Sequence, residues 1–594
     1  MMTDIEKLFL EPLKSTRTGA FYNTFPYPTK ISPEAIAIYI ACITSPGAKI
    51  LDTFGGSGST GVAALLCEHP TDRMIQLAKD MGVSPEWGKR DAVLYDLGTY
   101  AAFASKTITS RIRANEFKET VDKFLVLAEK EVEQYYRTHD EVGQAGSLRY
   151  VIWSEVLKCQ NCNEEISYFA EGTSRSPVSF KKEITCPICG HTCSVDEMNF
   201  ATETVYDSLV HKTITRKKRI PAWVYGTSGK RNWDRPADEE DIVQFQNLDT
   251  SAFDDNDSPR QIEWGDLHRK GYHFGITYLH QMYTKRNYLV FYKLWKLTDS
   301  FEQRFADALK LLLLSYNSAH CTMMTRVVAK HNAKDFVLTS AQSGVLYISK
   351  LPVEKNILLG LKRKAKPFIE TYRLLEDCAG DVVVKNQSSE CLDESSGTID
   401  FVFTDPPFGD FIPYAEVNQI NELWLRKVTD RSKEVIMSQA QNKGVREYEK
   451  MLATVFKEIN RVLKSDAKAV IVFHAAKADV WDAFAKSLNE SNLKIQKTNI
   501  LDKKQSSFKQ VVSEGSVKGD PLFLVAKGHE NTETEDDDLA ILDDIIINSV
   551  KQEKVDEKRM YSLYVNECLL RGVKIGISAK EAYAYITKKR GDKG

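Results

Sequence analysis

The sequence predicts an α/β protein: a doubly wound, mostly parallel sheet interrupted by a large insertion. Three observations lead there. A short apolar strand (KILDT, 49–53) runs into a glycine-rich turn and then a helix. A second strand (IDFVF, 399–403) stops at a Pro-Pro pair. Around both, strands and helices alternate, which favours a parallel sheet covered on both faces. The chain has 594 residues, 42% of them apolar and 27% charged, enough to bury several cores.

Taken in order, an aromatic, proline-rich loop (FYNTFPYPTK) precedes a helix that starts at Ser32-Pro33-Glu34, with proline at its first position. KILDT, GGSGSTG and VAALLCE give strand, turn and helix. DAVLYD is a second strand, ending at Asp96, and AAFASKTITSRIRANEF reads as a helix. From 111 the pattern changes. A charged helix (116–137) leads to a Cys-rich, strand-prone stretch at 148–195. A basic run, HKTITRKKR, and a polar Trp-bearing region with weak periodicity (220–275) follow. Two long helices cover 276–320, VLYIS (345–349) reads as a strand, and KRKAK (362–366) is a second basic cluster. The alternation resumes at 381 with the strands DVVV, IDFVF, KAVIVFHAA and LFLVAKG and two amphipathic helices between them. The expected organisation is an α/β domain split into 20–110 and 380–528, an insertion at 111–379, and an acidic linker with a helical tail at 529–594.

No run approaches the ~18 apolar residues of a membrane span, and MMTDIEKLFLEPLK has no apolar stretch of signal-peptide type. A net charge of -2 leaves any nucleic-acid surface to local patches. Eleven cysteines are too few for a disulfide scaffold, and four stand in two Cys-x-x-Cys pairs, pointing to a reducing, cytoplasmic setting and a metal. Cys159, Cys162, Cys186 and Cys189 fit a closed, tetrahedral, structural Zn²⁺ site in a ribbon at 148–195. Two disulfides or a redox pair are the alternatives, and His191 and Cys193 are spare donors. The basic run beside it (Arg216, Lys217, Lys218, Arg219), with Trp223, Tyr225 and Trp233, is a candidate for phosphate and base contacts or else a solvated basic strand.

The first turn lacks the lysine of a phosphate-binding loop, and Asp52 directly precedes its glycines. An acid there repels a pyrophosphate and suits a ligand with an ammonium group, such as S-adenosylmethionine; Asp96 would accept from ribose hydroxyls. A purely structural glycine turn is the alternative. In the second turn, Asp405-Pro406-Pro407-Phe408, the prolines force the chain out of the sheet and stiffen it. A carboxylate, a carbonyl and a ring in fixed relation suit an aromatic amine; a surface Asp-Pro turn is the alternative.

Together, LDTFGGSGSTG and TDPPFG resemble the cofactor and catalytic motifs of amino-methylating DNA methyltransferases, and FPYPTKISPEAI is similar to their Lys-Pro-helix motif. WGKRDAVLYDLGTYAAFAS, YTKRNYLVFYKLW, KAVIVFHAA and DKKQSSFKQ resemble a bacterial subgroup with a zinc-ribbon insertion, so the resemblance spans most of 20–528. It implies a Rossmann-like methyltransferase sheet. It also implies cofactor contacts at Lys30, Asp52, Phe54, Gly56, Gly58, Thr60 and Asp96, and a catalytic set of Asp405, Pro406, Pro407 and Phe408. The expected activity is methyl transfer from S-adenosylmethionine to a base amine of double-stranded DNA, adenine N6 first. The setting it implies is restriction-modification or phage defence, with a partner protein of that system. The insertion precedes the DVVV strand, whereas the usual order places it after, and Ser388/Ser389 stand where an acid is usual. The rival readings are a tRNA guanine N-methyltransferase, where Asp-Pro-Pro-Phe-Gly also occurs, and an inactive zinc-ribbon DNA-binding subunit.

Overall fold

The computed structural model describes residues 2–10, 12–15, 18–248, 253, 259–503, 519–528, 537–550 and 557–591. The acidic linker at 531–536 and residues 504–510 of DKKQSSFKQ lie outside them.

Three strands precede the insertion: β1 (Leu13–Ser15), β2 (Lys49–Asp52) and β3 (Asp91–Tyr95). The insertion contributes β4 (Ala145–Lys158), β5 (Arg219–Ser228), β6 (Arg231–Pro236) and β7 (Val353–Lys355), among shorter strands. Five follow it: β8 (Val382–Lys385), β9 (Ile399–Thr404), β10 (Leu463–Val472), β11 (Leu493–Lys503) and β12 (Asp520–Lys527). The central sheet has eight strands in the order β1-β11-β12-β10-β9-β2-β3-β8. All neighbours are parallel except β12, which runs antiparallel to β10 and β11. Strand order reverses between β2 and β9, and such a reversal opens a crevice at the strands' carboxyl ends. Asp52 and Thr404 are the last residues of those two strands.

Helices cover both faces: α1 (Pro33–Ile43), α2 (Ser59–Leu66) and α3 (Thr99–Ile108), then the insertion's α4 (Ala114–Val132), α5 (Lys285–Leu297), α6 (Gln303–Tyr316) and α7 (Ile357–Leu375). After β9 come α8 (Tyr414–Glu422), α9 (Val445–Val462) and α10 (Ala478–Glu490), and the carboxyl-terminal part adds α11 (Asp538–Val550), α12 (Glu557–Arg571) and α13 (Ala579–Gly591). One core cluster runs from Ile50 and Leu94 of the sheet through α1 and α2 into α4–α7. The long helices of the insertion are therefore packed on the sheet. A second cluster fills the other face with α9, α10 and the carboxyl-terminal helices, burying Leu542, Tyr561, Tyr564 and Ile586 completely. The helical tail is thus part of the fold's core.

The insertion has its own antiparallel sheet, β6-β5-β4-β7, with a satellite cluster of apolar side chains around the cysteines. The region at 220–275 that lacks periodicity contains most of β5 and all of β6. VLYIS forms no strand: Leu346 and Ile348 are buried from a loop, and the Leu346 carbonyl bonds the His273 ring instead of a ladder. The helix read at 101–117 is two helices, broken between Thr109 and Arg113.

Candidate active site

The turn after β2 is built on left-handed glycines. Gly56 has φ +50° and Gly58 φ +82°. A Cβ on Gly56 would stand 3.1 Å from the Tyr27 ring, and one on Gly58 would stand 2.9 Å from Cβ of Ser105. Glycine is therefore required twice over, by conformation and by close approach. The turn delivers the chain into α2, whose first residues are buried.

Asp52 is buried beneath this turn. Its Oδ1 accepts from the Phe54 amide at 3.0 Å and from Thr404 Oγ1 at 2.9 Å, and its Oδ2 accepts from Thr60 Oγ1 at 2.7 Å. Thr404 thereby ties the end of β9 to the end of β2 across the crevice, and Thr53 Oγ1 lies 3.0 Å from Thr404 Oγ1. Asp96 accepts from the Gly56 amide at 2.6 Å and the Gly98 amide at 2.7 Å. Burial pushes Asp52 up to about 6 despite these bonds. Burial, with Asp52 and Glu422 nearby, pushes Asp96 up to about 7. Among the described residues, no cation lies within ion-pair distance of either carboxylate. Two buried acids without a counter-ion form a site of unmet negative charge, which a cationic ligand satisfies.

The second turn leaves β9 at Thr404. Tyr448 Oη donates to the Pro407 carbonyl at 2.6 Å, and Gly409 takes φ +63° while its carbonyl receives the Met437 amide at 3.2 Å. Asp405 and Pro407 face the same cleft as Asp52 and Asp96, a space of about 980 Å³ open to solvent. Of the expected cofactor set, Lys30, Asp52, Phe54, Gly56, Thr60 and Asp96 line it, and Gly58 does not: it faces Ser105. Pro406 and Phe408 do not line it. Phe408 is 9% exposed and packs edge-on against Phe473, 5.6 Å between ring centres. The Lys30 ammonium is engaged by the Phe21 carbonyl at 2.7 Å and lies over the Phe21 and Phe25 rings, where burial holds it well below the ordinary lysine range.

Several lining residues escape the sequence pattern. Tyr27 stacks between Tyr100 and Tyr414, and Tyr414 Oη meets Thr29 Oγ1 at 2.9 Å. Ser389 donates to the Thr53 carbonyl at 2.5 Å and so braces the first turn. Glu434 is buried and raised by burial while it accepts from the Ala415 amide. The aromatic loop just before the first turn and the helix just after the second are the signals in the sequence for Tyr27 and Tyr414.

The four expected metal ligands converge. Cys159 and Cys189 sulfurs are 3.7 Å apart, as are those of Cys162 and Cys186, and all four lie within 4.8 Å of one another. A tetrahedron with Zn–S bonds of about 2.3 Å has edges of about 3.8 Å. Each pair sits on a tight turn, Asn163 N to Cys159 O at 3.0 Å and Gly190 N to Cys186 O at 3.0 Å, with left-handed Asn163 and Gly190 closing them. His191 and Cys193 stand outside the group.

The four cations at 216–219 beside this module are paired with three glutamates. Lys217 is buried in an ion pair with Glu155, which also receives Arg219 at 3.6 Å. Arg216 pairs with Glu203 at 2.8 Å and Lys218 with Glu165 at 2.5 Å. Tyr225 and Trp233 are buried, and Trp223 donates to Asp234 at 2.8 Å. The geometry gives these side chains a role in joining β4, β5 and the adjoining hairpin.

No protein-family model matches the chain, and no curated protein matches it. Among solved structures it is similar to one described as the antibiotic-resistance methyltransferase Kmr, with 12% identity and a TM-score of 0.16. That match covers 27% of this chain and 66% of the other. Among the described residues, no helix is long and apolar enough to cross a membrane.

Proposed function

We propose that the chain is an S-adenosylmethionine-dependent DNA methyltransferase that modifies an exocyclic base amine, adenine N6 in preference to cytosine N4. The observation that carries this reading is the convergence of its two motif turns on one cleft at the strand-order reversal, with Thr404 bonded to Asp52. Asp52 and Asp96, buried without a counter-ion, suit the ammonium and ribose of the cofactor. When bound, the cofactor supplies a methyl group on a sulfonium.

The chain's own residues hold the acceptor. Asp405 takes one hydrogen bond from the amine, and the Pro406 carbonyl is the second acceptor that the motif implies. Accepting both protons draws the nitrogen lone pair out of conjugation with the ring, so positioning does most of the work and no strong base is needed. The target base must leave the duplex to reach the cleft, at a cost of a few kcal/mol. Stacking by Phe408 requires that its turn move off Phe473, whereas Tyr27 and Tyr414 already face the cleft. The four thiolates hold a structural zinc ion that fixes the small module around them.

The test is calorimetric titration with S-adenosylmethionine, followed by methylation of duplex DNA and mass spectrometry of the released nucleosides. The expected product is N6-methyl-2′-deoxyadenosine. N4-methyl-2′-deoxycytidine alone overturns the base assignment; no cofactor binding overturns the activity.

A further inference from the structure

A second solvent-open cavity, about 1150 Å³, adjoins the cleft, and Tyr27, Pro28, Lys30 and Asn418 form the wall between them. One side comes from the aromatic loop at 22–30; the other comes from the insertion, including Ser318, Ala319 and the loop at 340–346. Ser318 and Ala319 belong to a π-helical turn at Asn317–Cys321, an uncommon backbone form that recurs at functional sites.

Basic side chains gather here without acids. Lys364 lines the cavity and donates to the Asn23 carbonyl at 2.7 Å. Lys355 Nζ lies 3.1 Å from His320 Nδ1, next to the π turn. Burial depresses His320 to about 3, with Lys355, Lys364 and Arg363 adding to the effect, so its ring is neutral and accepts from Lys355. Burial, with Arg363 nearby, pushes Lys355 down to about 8, and burial alone does the same to Lys364. Among the described residues, no carboxylate stands within ion-pair distance of Lys355, Arg363 or Lys364. The contrast within one helix is sharp. Lys362 pairs with Glu129 at 3.3 Å and Lys366 with Glu370 at 3.8 Å, whereas Arg363 and Lys364, between them, have no acid. Positive charge concentrated without counter-ions beside a polar, aromatic-walled cavity is an anion site, and phosphates are the anions that repeat along an extended ligand.

We propose that Lys355, Arg363 and Lys364 hold the phosphodiester backbone of the DNA strand whose extruded base enters the neighbouring cleft. This rests on the methyltransferase reading. It assigns DNA contact to the KRKAK helix and the turn that packs beside it, and removes it from the acid-paired HKTITRKKR run. Tyr22, half-buried on the opposite wall, offers a ring face to a base flanking the target.

The test uses the full chain and a fluorescent 20-base-pair DNA duplex, with affinity followed by anisotropy across a salt series. R363Q/K364Q is expected to weaken binding at least tenfold and to lower the slope of log affinity against log salt by about 1–2, at ~0.9 for each phosphate no longer neutralised. K362Q/K366Q removes the same charge from the same helix and should stay within twofold. R363K/K364R should restore binding, and unchanged S-adenosylmethionine affinity in every variant shows that the fold is intact. If wild type methylates DNA while R363Q/K364Q keeps its affinity and slope, this inference falls and the methyltransferase reading stands. If wild type binds an RNA stem-loop tightly and the duplex not at all, the DNA assignment falls. If wild type binds no S-adenosylmethionine, the parent reading falls first.

Discussion

The cleft and the four-cysteine module each gather ionisable side chains at the ends of strands, and they hold them by opposite means. Asp52 and Thr404 end strands in the middle of an eight-stranded sheet, with a large core on each face. Their positions are set before any ligand arrives. One cysteine pair sits on the turn between the long β4 and a three-residue strand, the other on the turn between two three-residue strands, beside a satellite cluster. A module of this size has little core of its own, so a metal at the four sulfurs would contribute folding energy to it. The lesson is that similar local chemistry has different thermodynamic support: the cleft should survive loss of its ligand, and the module should not.

The largest effect expected from that contrast is on the module. Cys162→Ser should lose zinc and unfold the segment around residues 159–198, since structural zinc contributes on the order of 10 kcal/mol of folding free energy. Metal analysis and limited proteolysis report this directly. S-adenosylmethionine affinity should change less than twofold, because the cleft belongs to the other cores. A zinc-free variant that resists proteolysis like wild type would show that the module folds without its metal.

Next comes Asp405→Ala. Its carboxylate faces the cleft from the second turn and takes no part in the hydrogen bonds that fix Asp52 and Asp96. Methylation should fall by a factor of about 100–1000, the range for removing a group that acts on the reacting centre. Cofactor affinity should remain within a few-fold. Near-wild-type turnover would remove Asp405 from the reaction.

The two regions also differ in how far the sequence discloses them. The convergence of the four cysteines is legible, because the two Cys-x-x-Cys spacings single them out. The cleft is legible in its turns: glycines, prolines and acids beside strand ends announce themselves. Its walls are not. Tyr27 and Tyr414 meet through tertiary packing, and Ser389, following the edge strand β8, reaches Thr53 past the intervening β3. Phe408 shows the reverse failure, since adjacency to Asp405 in sequence says nothing about which core receives the ring. The strands at 219–236 escape for a related reason. In the first, Val224, Tyr225 and Gly226 are buried in succession; in the second, burial alternates but one of its two inward side chains is Arg235, so no apolar alternation marks either. The basic run misleads because the glutamates that neutralise it are 13 to 64 residues away and cross-strand pairing alone brings them in.

Thr404→Val sharpens the account of the cleft by removing one bond from a buried carboxylate without touching the ligand space. A bond to a charged group is worth about 1.5–3 kcal/mol. With Thr60 and the Phe54 amide still in place, cofactor affinity should drop about tenfold, or 1.4 kcal/mol. The tie between β2 and β9 goes with it, so the melting temperature should fall by a few degrees. Unaltered affinity would mean that Asp52 does not meet the ligand's charge.

The smallest effect expected is on pH dependence, where the two acids of the cleft make a prediction with a definite sign. Asp52 stands at about 6 and Asp96 at about 7 in the folded chain, both above the ordinary value of 3.8, chiefly because burial penalises the charged form. The native state therefore binds these protons more tightly than the unfolded chain does. Their contribution to stability without ligand is present at low pH and is lost as pH rises from about 4 to 7. A cationic ligand reverses the dependence, because it needs the carboxylates ionised and competes with protons for them. S-adenosylmethionine affinity should thus fall about threefold to tenfold between pH 7.5 and pH 6, and the increase in melting temperature that the ligand confers should shrink over the same interval. Asp52→Asn should bind more weakly at pH 7.5 and show a flatter profile, with the remaining slope centred near Asp96. Calorimetry at four pH values decides it. A flat wild-type profile, or an Asp52→Asn profile as steep as wild type, would place the ligand's positive charge away from the end of β2.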